Sequence, residues 1–303
     1  FRNFPLTLTT IILAGAGLPA LLLSFPLIEK IYQITRQAAL NELELRAENI
    51  AMNLTHQLNL TASRLIPLGE TSDIILGSYI LYFEGKAAQY LLGFEADNSL
   101  VASVYLVNAR LSVVEAVPAS IGGVKLPLRV EQALEHLLQQ KAEAVQSQYQ
   151  FIAFKDAFFL DQTFTLIAKE RKKQRRTRRT DHGIAMLVPL INDEGVGGAK
   201  KIKGALVAVL PVEYLLSYIH AKVHPPSVFD IQEEQGESLL KTDANKDSAH
   251  EEFISGETLL RIRDSGPSGQ ELHYRILLAE PSSIRFAEVK KTLYSLVTSV
   301  LIS

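Results

Sequence analysis

Aromatic and charged side chains converge between Tyr149 and Asp161, in YQFIAFKDAFFLD, where Tyr149, Phe151, Lys155, Asp156 and Asp161 sit among apolar neighbours. A small-molecule pocket needs apolar walls and a few polar groups that fix orientation, and this stretch offers both. Tyr105, on a β-branched run further upstream, is a candidate for the same lining. The competing reading is that Phe151, Phe154, Phe158 and Phe159 simply fill a core.

A second group is electrostatic. Lys169 to Arg179, KERKKQRRTRR, carries a net charge of +7 and leaves −9 for the rest of the chain. Arg171, Lys172, Lys173, Arg175, Arg176, Arg178 and Arg179 could meet phosphates or anionic headgroups, because clustered cations gain from bidentate contacts and counterion release. Equally, such a run can be a solvated tip between two strands. Nucleic-acid binding would need this run on a scaffold with aromatic or groove-reading elements, and it is not expected of a chain held at a membrane by two spans.

Other chemistry finds little footing. His220 and His224 are four apart, as two zinc ligands on one helical face would be, but no third ligand accompanies them and Pro225 ends the helix. No Gly-x-Ser-x-Gly elbow occurs, and Gly195-Val196-Gly197-Gly198 leads into a charged stretch and a strand, not a phosphate-binding helix. With no cysteine in 303 residues, thiol chemistry and disulfides are excluded. No catalytic residue, metal site or cofactor is expected.

The elements that must position these groups follow from periodicity. Leu100 to Val107 and Leu111 to Val117 read as a hairpin turning at Asn108-Ala109-Arg110, and Arg129 to Ser147 as an amphipathic helix. Strands are expected at Tyr149 to Leu160, Thr163 to Ala168 and Gly183 to Ile191, the last pairing with Lys203 to Leu210. Pro211 then opens a helix. A smaller β-pattern follows, with Ser227 to Gln232 and Ser238 to Lys241 as a hairpin and strands at Leu259 to Arg263 and Glu271 to Ala279.

Both ends are apolar. Leu6 to Ile28 holds no charge and is long enough to cross a bilayer as a helix, the rival reading being a cleaved signal peptide. Beyond it, Leu40, Leu43, Ala47, Ile50, Leu54, Leu58, Thr61 and Leu65 recur at three- or four-residue steps, which predicts a continuous stalk helix to Ile66. Its seam can pack on its own domain or on a second chain, and both are expected, as a homodimer. Residues after Lys291 are again uncharged and read either as the start of a second span or as an amphipathic terminal helix. Glu70 to Asp97 adds one or two helices broken near Gly85.

Several stretches in this order resemble the double Cache sensor modules of bacterial membrane receptors: a span entering a long helix, VYLVNARLSVVE, VPLINDEG followed by KGALVAVLPVEYLLSYI, and VFDIQEEQGESLL. The resemblance implies an α+β fold, with a transmembrane helix (1–28), a stalk helix (29–66), a membrane-distal PAS-like lobe (67–210) of antiparallel sheet, a proximal one (211–281) and a helix entering a second span (282–303). It further implies an inner-membrane receptor with residues 30–288 extracytoplasmic, binding a small molecule and driving a histidine kinase, cyclase or chemotaxis output outside this sequence. The Arg-x-Trp-Tyr stretch of the amino-acid-binding subgroup is missing, as is an Asp where Val209-Leu210 stand, so an amino-acid ligand is not expected. An anchored enzyme, and an adaptor docking a partner or anionic surface through residues 169–179, are the alternatives.

Overall fold

The structure is a computed structural model that describes residues 18–80, 83–145, 148–170, 181–192, 200–220, 228–233, 238–241, 253–263, 271–287, 291 and 294–295. Helix α1, Leu18–Gly69, runs for 52 residues, or roughly 78 Å at the usual rise. The three-and-four spacing read from the sequence is its buried seam: Leu43, Ala47, Leu54, Leu58, Thr61 and Leu65 are all enclosed. That seam packs on the chain's own sheets. The helix passes Pro67, where a stop was expected, because a proline in the final turn forfeits only one backbone bond. It ends at Gly69, where a Cβ would stand 2.8 Å from the Val188 side chain.

Two short helices follow, α2 (Ser72–Gly77) and α3 (Glu84–Asp97), broken where Gly85 suggested. The first sheet is antiparallel. It comprises β1 (Ser103–Asn108), β2 (Val113–Val117), β3 (Gln150–Lys155), β4 (His182–Asn192) and β5 (Lys201–Pro211), in the order β2-β1-β5-β4-β3. The β1–β2 turn is built by Asn108, whose Oδ1 accepts the backbone N–H groups of Arg110 and Ser112 at 2.9 and 3.0 Å. Leu111 completes it with a φ of 62°. β4 and β5 pair as expected, Met186 facing Ala208.

Both faces of this sheet are covered, which explains why β1, β4 and β5 read as nearly unbroken apolar runs. Val104, Leu106, Met186, Val188, Leu206 and Ala208 belong to the core shared with α1, α2 and α3. On the other face, Tyr105, Val107, Ala185, Leu187, Val207 and Val209 meet helices α4 (Leu128–Gln139) and α6 (Ala157–Glu170). Successive strand residues point to opposite faces, so β1 contributes to both cores.

Three expectations need correction. The strand Tyr149 to Leu160 stops at Lys155, and the strand Thr163 to Ala168 lies wholly within α6. The reason is local: Asp156 Oδ1 accepts the Phe159 N–H at 2.8 Å and caps a helix whose Leu160, Thr163, Phe164 and Ile167 recur at helical spacing on one buried side. The third concerns Arg129 to Ser147, where α4 ends at Gln139 and a separate short turn, α5, occupies Ala142–Val145.

After β5, helix α7 (Val212–His220) starts one residue past Pro211. The second sheet contains β6 (Val228–Glu233), β7 (Ser238–Lys241), β8 (Phe253–Arg263) and β9 (Glu271–Pro281), in the order β7-β6-β9-β8. Of the expected elements here, only the Leu259 strand is much extended, beginning at Phe253. Strand β8 lies against α1 so closely that a Cβ on Gly256 would come within 2.5 Å of the Glu44 backbone nitrogen. Arg46 of α1 reaches both Glu42 and, at 3.0 Å, the nearly enclosed Glu280 of β9. A four-residue helix, α8 (Ser282–Arg285), follows, and Phe286 stacks on Tyr32 of α1 with centroids 4.6 Å apart. The long helix is thus the common support of both sheets.

Among the described residues no helix is long and apolar enough to cross a membrane. The expected spans fall largely outside them, residues 1–17 at one end and most of 288–303 at the other.

Candidate functional site

The site begins with an alternation in β1. Ser103 and Tyr105 are two apart on a strand and therefore share a face, the one covered by α4 and α6. Both side chains are fully enclosed, and neither hydroxyl has a partner with hydrogen-bond geometry. Thr163 of α6, also fully enclosed, completes a hydroxyl cluster; its Oγ1 donates to the Phe159 carbonyl at 2.8 Å, which leaves its lone pairs able to accept. Burial pushes the Tyr105 phenol up to about 12, an effect tempered but not cancelled by the neighbouring Ser103 and Thr163 hydroxyls.

Around these three oxygens the walls are aromatic and aliphatic. The Phe159 ring lies 6.3 Å from Tyr105, centroid to centroid, and Phe154 meets Phe159 edge-on at 5.7 Å. Further along α6, Phe164 packs on Tyr214 of α7 at 5.9 Å. A buried hydroxyl left without any partner costs about 1–3 kcal/mol, and in this interior the Ser103, Tyr105 and Thr163 hydroxyls have chiefly one another.

The sequence-derived candidates divide between the two faces of the sheet. Tyr105 stands at the centre of the cluster. Phe151 and Tyr149 lie on the opposite side: their rings meet edge-on at 5.2 Å, and the Tyr149 hydroxyl donates to Asn59 Oδ1 of α1 at 3.1 Å. Asp156 caps α6 and its own N–H donates to the Asp181 carbonyl at 2.9 Å. Lys155 is exposed at the end of β3, opposite His182, and Asp161 is half-buried on α6. Phe158 is largely exposed, unlike Phe154 and Phe159. Residues 171–180, with the seven basic side chains, lie outside the described residues, as does His224.

Most of the chain aligns with the ligand-binding or periplasmic sensory domains of several chemoreceptors, in each case at a TM-score below 0.5. The periplasmic sensory domain of the Campylobacter jejuni chemoreceptor Tlp1 aligns with a TM-score of 0.49 and 9% identity, over 83% of this chain and 98% of that one. An extracellular ligand binding receptor from Desulfohalobium retbaense gives 0.48 and 14%, over 78% of this chain, which spans only 40% of that receptor's length. The ligand-binding domain of the Pseudomonas aeruginosa amino acid chemoreceptor PctB, in complex with L-arginine, gives 0.47 and 14%, over 85% and 93%. No protein-family model and no curated protein matches the chain.

Ser103 and Thr163 were missed by sequence reasoning. The signal was present in part: Ser103-x-Tyr105 is a strand alternation, and Thr163 is four residues from both Phe159 and Ile167. It was masked because the strands expected at Tyr149 to Leu160 and Thr163 to Ala168 divide this helix between two elements and scatter its residues over two faces. Chemically, the cluster can donate and accept hydrogen bonds but offers no charge and, with its phenol held protonated, no nucleophile near neutral pH. Among the described residues no three His, Asp or Glu side chains converge as metal ligands.

Proposed function

We propose that this chain is the extracytoplasmic small-molecule sensor region of a membrane signalling receptor, with its ligand taken up beside Tyr105 on the α6 side of the first sheet. The observation that carries this reading is the enclosed hydroxyl cluster of Ser103, Tyr105 and Thr163 on an aromatic-lined face. A few polar groups set among apolar walls are the kind of anchor that orients a bound molecule. The antiparallel order β2-β1-β5-β4-β3, with helices over one face and α1 under the other, suits the PAS-like distal lobe (67–210) that the double Cache resemblance implies. The four-stranded sheet suits the proximal lobe (211–281).

In this reading residues 1–28 and the stretch after 282 hold the chain in the bacterial inner membrane, with residues 30–288 outside the cytoplasm. Ligand binding need only favour one of two placements of α1 relative to the sheets, because a switch requires differential affinity and no more. Helix α1 suits that task, since one element touches both sheets at Val188 and Gly256. Its outward side carries exposed Ile31, Ile34, Leu45 and Met52, which suit a dimer mate. The output, of kinase, cyclase or chemotaxis type, would lie beyond this sequence. Tyr149, Phe151, Lys155, Asp156 and Asp161 then act as supports and rim of the lobe.

The test is a thermal-melting screen of the full chain in detergent against small neutral, anionic, cationic and zwitterionic compounds and polyanions, since a ligand of the folded state raises its melting temperature. One saturable small-molecule shift, weakened by Tyr105→Phe, supports the sensor. Shifts from polyanions alone, abolished by neutralising residues 171–179, would replace it with the docking reading that the +7 block favours.

A further inference from the structure

We infer that Arg46 is a latch between α1 and the strand by which the chain leaves the second sheet, and that α1 moves against that exit only by opening it. This rests on the sensor reading and adds the joint through which a shift of α1 would reach the residues after 282. Arg46 Nη1 donates to Glu280 Oε1 at 3.0 Å, while Nη2 meets Glu42, one turn back on the same helix. The two carboxylates differ in setting. Glu280 is 7% exposed at the end of β9, two residues before α8 begins, whereas the Glu42 side chain is 43% exposed. Solvent screens the Glu42 contact more, so the bond to Glu280 dominates. Because Arg46 and Glu42 ride together on α1, a displacement of the helix keeps their pair and makes or breaks only the bond to Glu280. Release therefore costs little on the arginine's side and more at the enclosed carboxylate, which defines one closed and one open position.

Neighbouring contacts hold the same joint. Glu280 is paired across the sheet with Ile254 of β8, and two residues further along that strand Gly256 is seated against the Leu43 and Glu44 backbone of α1, beside the latch. Below it, Phe286 is fixed by its N–H donating to the Ser282 carbonyl at 2.9 Å and is buried against Tyr32. Tyr32 and Arg46 are fourteen residues apart, roughly 21 Å along the helix. The exit is thus tied to α1 at two points. The apolar tie tolerates sliding, because burial is non-directional, whereas the charged hydrogen bond holds one register.

The test is hydrogen–deuterium exchange of the full chain in detergent, without ligand, in the parent, Arg46→Gln, Glu280→Gln, Glu42→Gln and the Arg46→Gln/Glu280→Gln double variant. Circular dichroism checks that each is folded. We expect exchange over residues 279–287 to rise roughly tenfold in either latch variant and no further in the double one, with β1 and β4 unchanged. Glu42→Gln should leave that segment as protected as in the parent. No rise from Glu280→Gln, an equal rise from Glu42→Gln, or summed effects in the double variant each overturns the latch and leaves the sensor reading standing. Any compound that shifts the melting of the parent is then added: altered protection over 279–287 that disappears in Glu280→Gln supports the inference, and an unmoved segment overturns it. Silence of every compound in the melting screen defeats the sensor reading, and the substitutions alone then decide the latch.

Discussion

Replacing Tyr105 with phenylalanine separates the phenol hydroxyl from the ring that carries it. The ring is fully enclosed and its hydroxyl lies with those of Ser103 and Thr163, so Tyr105→Phe keeps the packing and takes one member out of a buried hydroxyl cluster. Without ligand at pH 7 the variant should stay within about 1.5 kcal/mol of the parent, the net worth of one buried hydrogen bond. The alkaline limb tests the same environment separately. In the folded chain the phenol is raised from 10.0 to about 12, so above pH 10 the unfolded chain releases its proton while the folded one retains it. Stability from this group is therefore complete below pH 10 and is lost as pH climbs toward 12, by roughly 1.4 kcal/mol at pH 11. Urea unfolding of parent and variant at pH 7, 10 and 11 isolates the term, because the other tyrosines and lysines are common to both. The same alkaline slope in the variant as in the parent would refute a desolvated phenol.

Substitutions at three further positions probe the frame around the site. Leu54→Ala, in the fully enclosed part of the α1 seam, should cost about 2–5 kcal/mol in chemical denaturation, the range for a buried leucine cavity; a cost below 1 would mean that α1 does not pack there. Gly256→Ala drives a Cβ toward the Glu44 backbone, and should destabilise by about 1–3 kcal/mol while raising hydrogen exchange in β8 relative to β4. Asp156→Ala removes the cap of α6 and should cost about 0.5–2 kcal/mol, whereas Asp156→Asn should recover most of it, since either side chain can accept the Phe159 N–H.

The α1 seam was legible because it carries one clean helical period. The β1–β2 hairpin and the β4–β5 pair were legible instead from β-branched runs bounded by turn residues, with no alternation to help because both sheet faces are covered. The failure was at α6, where AFFLDQTFTLIAKE mixes aromatic and β-branched residues that favour strands locally, and the cap at Asp156 decides otherwise. That one assignment hid most of the site. With 157–170 as a helix, Phe159, Thr163 and Ile167 align over Tyr105, whereas as strands they could not. Tyr105 itself was legible as an aromatic on a buried strand; Ser103 was not, because a small hydroxyl gains significance only once its enclosure is known. The division of Tyr149 and Phe151 from Tyr105 likewise depends on which face of β3 meets α1, a property of strand order that local sequence does not encode.

The most direct measurement is hydrogen–deuterium exchange of the full chain with and without a saturating concentration of the compound that shifts its melting most. We expect added protection concentrated in β1 (103–108) and α6 (157–170), together with a change along α1, and absent from Tyr105→Phe at the same concentration. Protection confined to the segments flanking residues 171–180, or to the second sheet alone, would contradict a ligand site between the first sheet and α6.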